Sequence, residues 1–286
     1  MRRILIFGAQ GMTGWELTSR APSWQLDAVA LGRNDVDITD DRAVEAAVAK
    51  SRPHIVVNAA AYTAVDKAET ERDVAMRVNA DGAENVARSS AAHDACVVHV
   101  STDYVFDGTA STPYTPGHSV NPHGAYAESK LAGEEAVRLA NPRHAIIRTS
   151  WVFSHRGRNF VKTMVDHAER GDELRVVNDQ VGRPTSAADL ADALLTVGAR
   201  TEGDDTLNGT WHFANSGVTS WFDFARAIFE IRRLAPVLRP VTSREFPAVA
   251  RRPAYSVLDT DSFETTFGIR PRPWREALRE TLERLP

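Results

Sequence analysis

The sequence predicts an α/β protein built on a doubly wound parallel sheet, and three observations carry that expectation. Short apolar runs alternate with longer helical patterns, a glycine-rich loop closes the first run, and the runs are apolar throughout rather than at every second residue. Unbroken apolar character is what a strand shows when helices cover both faces of its sheet. At 286 residues the chain can form one large domain or two closely joined lobes.

Residues 4–7, 26–31, 54–58, 96–100 and 145–148 are the expected strands, with helices between them. Thr39-Asp40-Asp41 supplies an N-cap for a helix ending near Ser51, and a long alanine-rich helix is expected over 71–92. After about Thr149 the rhythm changes. Asn178-Asp179-Gln180-Val181-Gly182-Arg183-Pro184-Thr185 is punctuated by turn formers, and a second lobe begins there. Helices are expected over 186–197 and 220–234, the latter capped at Thr219 or Ser220, while 211–213 returns as a further sheet strand. The expected division is 1–150 for the sheet, with a return near 186–216, and 151–286 for most of a smaller, discontinuous α/β lobe.

The bulk numbers exclude several classes. A net charge of -4, from 38 acids and 34 bases without a like-charged block, gives no nucleic-acid surface. The apolar run at 4–7 is too short for a signal segment, so Arg2-Arg3 reads as flanking charge, and no membrane partner is expected. The single cysteine, Cys96, has no partner for an internal disulfide and is expected to fill strand core, which fits a reducing cytoplasm.

The loop Gly8-Ala9-Gln10-Gly11-Met12-Thr13-Gly14 follows a strand and opens a helix. Gly8 ends the strand, Gly11 lies where a pyrophosphate approaches backbone, and Gly14 lets the helix pack close, its N-terminus aimed at phosphate. A tight turn alone would use the same glycines, but the flanking strand and helix favour a Rossmann-like dinucleotide site. The second strand ends Leu31-Gly32-Arg33, with glycine where an NAD-selecting acid would stand and an arginine able to pair with a 2'-phosphate. NADPH is therefore the expected cofactor, with NADH usable, unless Asp35 or Asp37 turns toward the ribose. Asp37 and Ile38 are placed to flank the adenine. Ala59-Ala60-Ala61 leave room for cofactor backbone, although helix packing would also use alanines.

Reducing a ketone requires a proton or strong hydrogen bonds at its oxygen as negative charge develops. Tyr126 can donate that proton, and Lys130 lies one helical turn on, where its charge would ease release from a phenol with an ordinary pKa of ~10. With five tyrosines and few lysines in the chain, this spacing arises by chance only about 0.07 times. Lys130 can also hold the nicotinamide ribose. Thr102, at the end of the fourth strand, can donate a second hydrogen bond, and Asp103 can contact substrate, although this segment could merely close the strand. Nine histidines, including His118 and His123, come without a His-Glu-x-x-His or cysteine pair, so no metal is expected. No Gly-x-Ser-x-Gly elbow is present either.

These residues lie in longer blocks that resemble the dTDP-4-dehydrorhamnose reductase family of extended short-chain dehydrogenases/reductases. The blocks are residues 8–17, 58–69 (Asn58-Ala59-Ala60-Ala61-Tyr62-Thr63 through Glu69), 101–108 (Ser101-Thr102-Asp103-Tyr104-Val105-Phe106-Asp107-Gly108), 126–134, Arg148-Thr149-Ser150-Trp151-Val152, Asn178-Asp179-Gln180 with Pro184-Thr185, and Arg251-Arg252-Pro253. The glycine spacing is also that of the extended members. The resemblance implies NAD(P)H-dependent reduction of the C4 ketone of dTDP-4-dehydro-L-rhamnose to dTDP-L-rhamnose. It implies that Gly11, Met12, Thr13, Ala61, Tyr62, Thr63 and Val100 line the cofactor, and that Tyr126 donates the proton beside Lys130. Thr102, Asp103, Trp151, Gln180 and Arg252 would meet the sugar nucleotide, Arg252 at its diphosphate. Met12-Thr13 departs from the Gln-Leu or Gln-Val of this loop. Some relatives dimerise around Mg2+ held by glutamates. Here Glu16 remains, but the second region reads Ala187-Ala188-Asp189-Leu190 and the sequence ends at Pro286. A monomer or weak homodimer without Mg2+ is thus expected. Two other readings stay open: a related reductase or epimerase acting on another dTDP-6-deoxy-4-ketosugar, and a noncatalytic subunit like the regulatory partner of methionine adenosyltransferase.

Overall fold

Six parallel strands form the central sheet of the computed structural model, which describes residues 2–285. They are β1 (Arg2–Phe7), β2 (Leu26–Leu31), β3 (Ile55–Asn58), β4 (Cys96–Thr102), β5 (His144–Thr149) and a returning strand, Gly209–His212. From one edge the order is the returning strand, β5, β4, β3, β1, β2. The chain turns outward to β2 and then resumes on the other side of β1, so the order reverses between β1 and β3. A crevice opens at the carboxyl ends of such strands.

The continuous apolar runs resolve into two faces, because successive strand side chains point to opposite sides. Ile4, Ile6, Ile55, Val57, Cys96 and Val98 pack on one face with Leu17 of α1 (Met12–Arg20) and Leu190 and Leu194 of helix Ala187–Thr201. Leu5, Phe7, Val56, Val97 and Ile146 pack on the other with Val44 and Val48 of α2 (Asp41–Ser51), Val86 of helix Gly82–Ala92 and Val137 of helix Ala125–Ala140. Burying each large aliphatic side chain contributes roughly 1.5–3 kcal/mol. Cys96 lies fully inside this core, and burial pushes its thiol up to about 12.

Local signals act as their chemistry requires. Asp40 accepts hydrogen bonds from the Arg42 and Ala43 amides and starts α2, while Ser220 accepts from Asp223 N and starts helix Trp221–Arg232. The expected helix over 71–92 is instead interrupted: Arg72–Met76 and Gly82–Ala92 flank a π-helical turn, Arg77–Asp81. That turn swells toward helix Ala125–Ala140 at Gly133, where an added Cβ would lie 2.0 Å from the Asn79 carbonyl oxygen. The swelling therefore depends on glycine opposite it.

A second core holds Phe153, Val161, Val165, Phe224, Ile228, Trp274 and Leu278. Beside it, Leu174–Val177 pairs in parallel with Leu238–Val241. No helix among the described residues is long and apolar enough to cross a membrane.

Candidate active site

The three loop glycines have different reasons to be glycine. Gly8 adopts φ +82°, and a Cβ there would lie 2.6 Å from Ala60 N; at Gly14 it would lie 2.2 Å from Gly8 O. Both allow backbone to approach backbone. Gly11 would meet only Gly8 O, at 3.3 Å, so its bareness serves the cleft rather than the fold. Gly11 also begins α1 without a side-chain cap, and no acid occupies the first turn. The first-turn amides at Met12 and Thr13 thus suit an anion.

A cleft of ≈ 330 Å³ opens here, lined by Gly8, Gly11, Arg33, Asp37, Ile38, Ala59, Ala60, Ala61, Tyr62 and Thr63, together with Val36 and Val78. Both carboxylates that could compete for a ribose are spent locally. Asp35 accepts from Gly32 N at 2.8 Å, and Asp37 accepts from Thr39 N and Oγ1 at 3.0 and 2.9 Å, the former bond holding its carboxyl below the ordinary range. Arg33 is exposed at the rim. Gln10, which the sequence did not single out, lies over Gly32, where a Cβ would meet it at 2.5 Å.

The loop after β3 is fixed by two asparagines. Asn58 Oδ1 accepts from Ala60 N (3.2 Å), and Asn79 Oδ1 accepts from Tyr62 N (2.8 Å). Asn79 Nδ2 faces Tyr62 O (3.1 Å) and Ser129 Oγ (2.9 Å), and Ser129 Oγ donates to Tyr126 O (2.8 Å). Asn79 therefore ties the loop after β3 to the helix carrying Tyr126 and Lys130. Its position on a π-helical turn has no periodicity signal, so sequence reading missed it. Tyr62 donates to Glu71 at 2.6 Å, and that bond pushes its phenol up to about 12.

Tyr126 and Lys130 lie one turn apart on helix Ala125–Ala140. Lys130 is buried; its Nζ donates to Val100 O at 2.7 Å and lies 3.4 Å from His99 Nε2. Burial lowers the ammonium to about 8, with Glu134 opposing. Tyr104 packs edge-on against the Tyr126 ring at 5.8 Å. The Tyr126 hydroxyl does not sit near neutrality as the spacing suggested: burial pushes it up to about 12, with Thr102 opposing and Asp103 adding to the rise. Lys130 directs its Nζ to Val100 O and His99 Nε2.

Thr102 Oγ1 donates to Asp103 Oδ1 (3.1 Å) and accepts from Tyr104 N (3.2 Å). Asp103 is buried, its Oδ2 has no hydrogen-bond partner among the described residues, and burial pushes its carboxyl up to about 7. An orphaned buried oxygen beside Thr102 is suited to a ligand hydroxyl. Trp151 adopts φ +48° and stacks on Trp221 at 3.7 Å, and Gly182 leaves the room its indole needs. Thr102, Asp103 and Tyr126 thus form one group. Gln180 donates instead to Ser243 Oγ (2.9 Å), and Arg252 pairs with Asp66 (2.8 Å) and Ala250 O (3.0 Å).

Glu16 does not fit a divalent cation. It is buried and faces Arg20 at 3.1 Å, Arg284 at 3.2 Å and His155 at 3.5 Å, while Asp189 pairs with Arg272. Pro286 lies outside the described residues.

The family model "RmlD substrate binding domain" matches residues 1–286. A dTDP-4-dehydrorhamnose reductase of Sinorhizobium fredii is 41% identical over 283 residues, covering 97% of this chain and 95% of the relative. A Streptomyces antibioticus protein named "Probable dTDP-4,6-dihydroxy-2-methyloxan-3-one 4-ketoreductase" is 44% identical over 281 residues, covering 97% and 94%. The crystal structure of the Bacillus anthracis dTDP-4-dehydrorhamnose reductase in complex with NADP superposes with a TM-score of 0.93 at 37% identity, covering 99% of each chain. The chain belongs to the dTDP-4-dehydrorhamnose reductase family of NAD(P)H-dependent oxidoreductases.

Proposed function

We propose that this protein reduces the C4 ketone of dTDP-4-dehydro-L-rhamnose to dTDP-L-rhamnose, using NADPH and a proton from Tyr126. The observation that carries the reading is Tyr126, Thr102 and Asp103 grouped at the carboxyl end of β4, on the sheet edge that also bears the cleft rimmed by Arg33. NADPH supplies the hydride when bound. Gly8, Gly11, Gly14, Met12 and Thr13 cradle the pyrophosphate, Arg33 pairs with the 2'-phosphate, and Asp37 and Ile38 flank the adenine. Ala59, Ala60, Ala61, Tyr62, Thr63 and Val100 hold the rest, with Lys130 at the nicotinamide ribose.

Negative charge growing on the carbonyl oxygen is met by Thr102 Oγ1 and by the proton of Tyr126. The phenol keeps its proton at neutral pH and can give it to an alkoxide, a far stronger base, and Lys130 stabilises the phenolate left behind. Asp103, Trp151, Gln180 and Arg252 read the sugar nucleotide, the last by exchanging Asp66 for diphosphate. In this scheme residues 1–150 with 186–216 hold the cofactor and 151–286 mainly the substrate, in a cytoplasmic protein that is monomeric or weakly dimeric without Mg2+. Replacing Tyr126 by Phe tests the assignment: turnover falls about 10²–10⁴-fold with the melting temperature retained, whereas near-normal turnover overturns it. The 44% identity to the Streptomyces antibioticus protein supports a second reading, another dTDP-4-ketosugar as substrate; faster turnover of that sugar would select it.

A further inference from the structure

The geometry points to His99 as a positioning residue: held by Asn58 in one tautomer, it presents an N–H to Lys130 and favours a neutral lysine in the nucleotide-free protein, so that nucleotide binding draws a proton onto Lys130. The inference rests on the reading that Lys130 acts at the nicotinamide ribose. His99 is buried on β4, with Nδ1 3.3 Å from Asn58 Nδ2 and Nε2 3.4 Å from Lys130 Nζ. The Asn58 amide is oriented independently, since its Oδ1 accepts from Ala60 N. Its NH2 must therefore face the ring.

A neutral imidazole has one N–H and one lone pair. With Asn58 donating, Nδ1 supplies the lone pair and Nε2 carries the hydrogen. An N–H facing an ammonium satisfies neither group, whereas it donates well to a neutral amine. One arrangement fills every bond: Asn58 to His99 Nδ1, His99 Nε2 to the Lys130 amine, and Lys130 to Val100 O. The surroundings agree. Burial dominates at both groups, Arg138 and Lys130 act against a charged His99, and the one carboxylate acting on Lys130, Glu134, is already shared by Arg148, Arg138 and Ser101. Tyr126 and Asp103 are themselves shifted toward their neutral forms by burial.

Ribose hydroxyls reverse the preference, because an ammonium has donors to spare after Val100 O while an amine holding the His99 proton has fewer. The added proton comes from solvent and resides on Nζ. Asn58 thereby couples Ala60, in the cofactor-side loop, to the charge of the lysine.

Calorimetric titration of NADPH into the protein at pH 8, in buffers of differing ionisation enthalpy, counts the protons exchanged without any turnover. With Lys130 near 8, uptake of roughly half a proton per site is expected. Asn58→Asp accepts from Nδ1–H, turns Nε2 into an acceptor for ammonium, and is expected to bring uptake close to zero. His99→Met, which offers no N–H to Lys130, should also lower the uptake and serves if the buried aspartate prevents folding. The high-pH fall in kcat/KM should also move upward in these variants, a shift that a merely structural role would not produce. NADPH binding without proton uptake in the wild type, or undiminished uptake in the variants, overturns the inference and leaves the reductase reading standing. Failure to bind NADPH overturns both.

Discussion

Replacing Glu134 by Gln should destabilise the protein by about 3 kcal/mol, near the lower end of the ~3–5 kcal/mol that breaking a buried ion pair costs. The Glu134 side chain is fully buried and accepts from Arg148 Nε and Nη2 at 2.8 and 2.7 Å, Arg138 Nη2 at 2.7 Å and Ser101 Oγ at 2.6 Å. Burial alone would push its carboxyl up; the Arg148 hydrogen bond, then the charges and the Ser101 bond, outweigh that and hold it below the ordinary value. Gln keeps the shape and one acceptor but leaves the buried Arg148 guanidinium without a countercharge. For a chain of 286 residues, about 3 kcal/mol corresponds to a fall in melting temperature of about 5 °C. The sign with pH follows from linkage. A lowered folded value means the contribution is present above the unfolded carboxylate range and is lost as pH falls through the folded value. The gap between wild type and Glu134→Gln should thus be full at pH 7 and narrow below about pH 4. Thermal unfolding by circular dichroism reads both. A melting temperature unchanged at pH 7, or a gap that widens on acidification, would show that Glu134 does not hold Arg148 as a buried ion pair.

Three further outcomes follow from the site. Arg33→Ala should raise the NADPH Kd about 10-fold or more, as loss of a charge-assisted hydrogen bond implies, while leaving NADH binding nearly unchanged; equal effects on both in fluorescence titration would remove Arg33 from the 2'-phosphate. Gly133→Ala drives a Cβ to within 2.0 Å of Asn79 O and should cost about 1–3 kcal/mol while weakening NADPH binding through the Asn79 clamp on Tyr62, and retained stability would mean the π-helical turn yields without loss. Asp103→Asn should raise the melting temperature at pH 8 more than at pH 5, because a carboxyl pushed up to about 7 by burial costs stability as pH rises through the window between its unfolded and folded values; a gain independent of pH would show that Asp103 does not titrate there.

Strand positions were legible because each run is apolar on both faces, and the ends shifted by only a residue or two. β4 continues through Thr102, since polar Ser101 and Thr102 still pair with Arg148 and Thr149 of β5. The returning strand begins at Gly209 and ends at His212, earlier than its aromatic residues suggested. Tyr126 and Lys130 were legible from spacing, but the partner of Lys130 was not: His99 and Asn58 come from two separate strands, and only the sheet register, in which Asn58 faces His99, brings them together. Asn79 escaped notice because a π-helical turn erases the 3.6-residue period. The Arg252–Asp66 pair spans 186 residues, which no local pattern encodes.

Reduction of the C4 ketone is read by mixing the purified protein with enzymatically generated dTDP-4-dehydro-L-rhamnose and NADPH, following NADPH absorbance, and determining the product's C4 configuration. A reductase of this sugar consumes one NADPH per molecule and yields dTDP-L-rhamnose. An unchanged NADPH signal, or a sugar epimerised without consuming reductant, would contradict that activity.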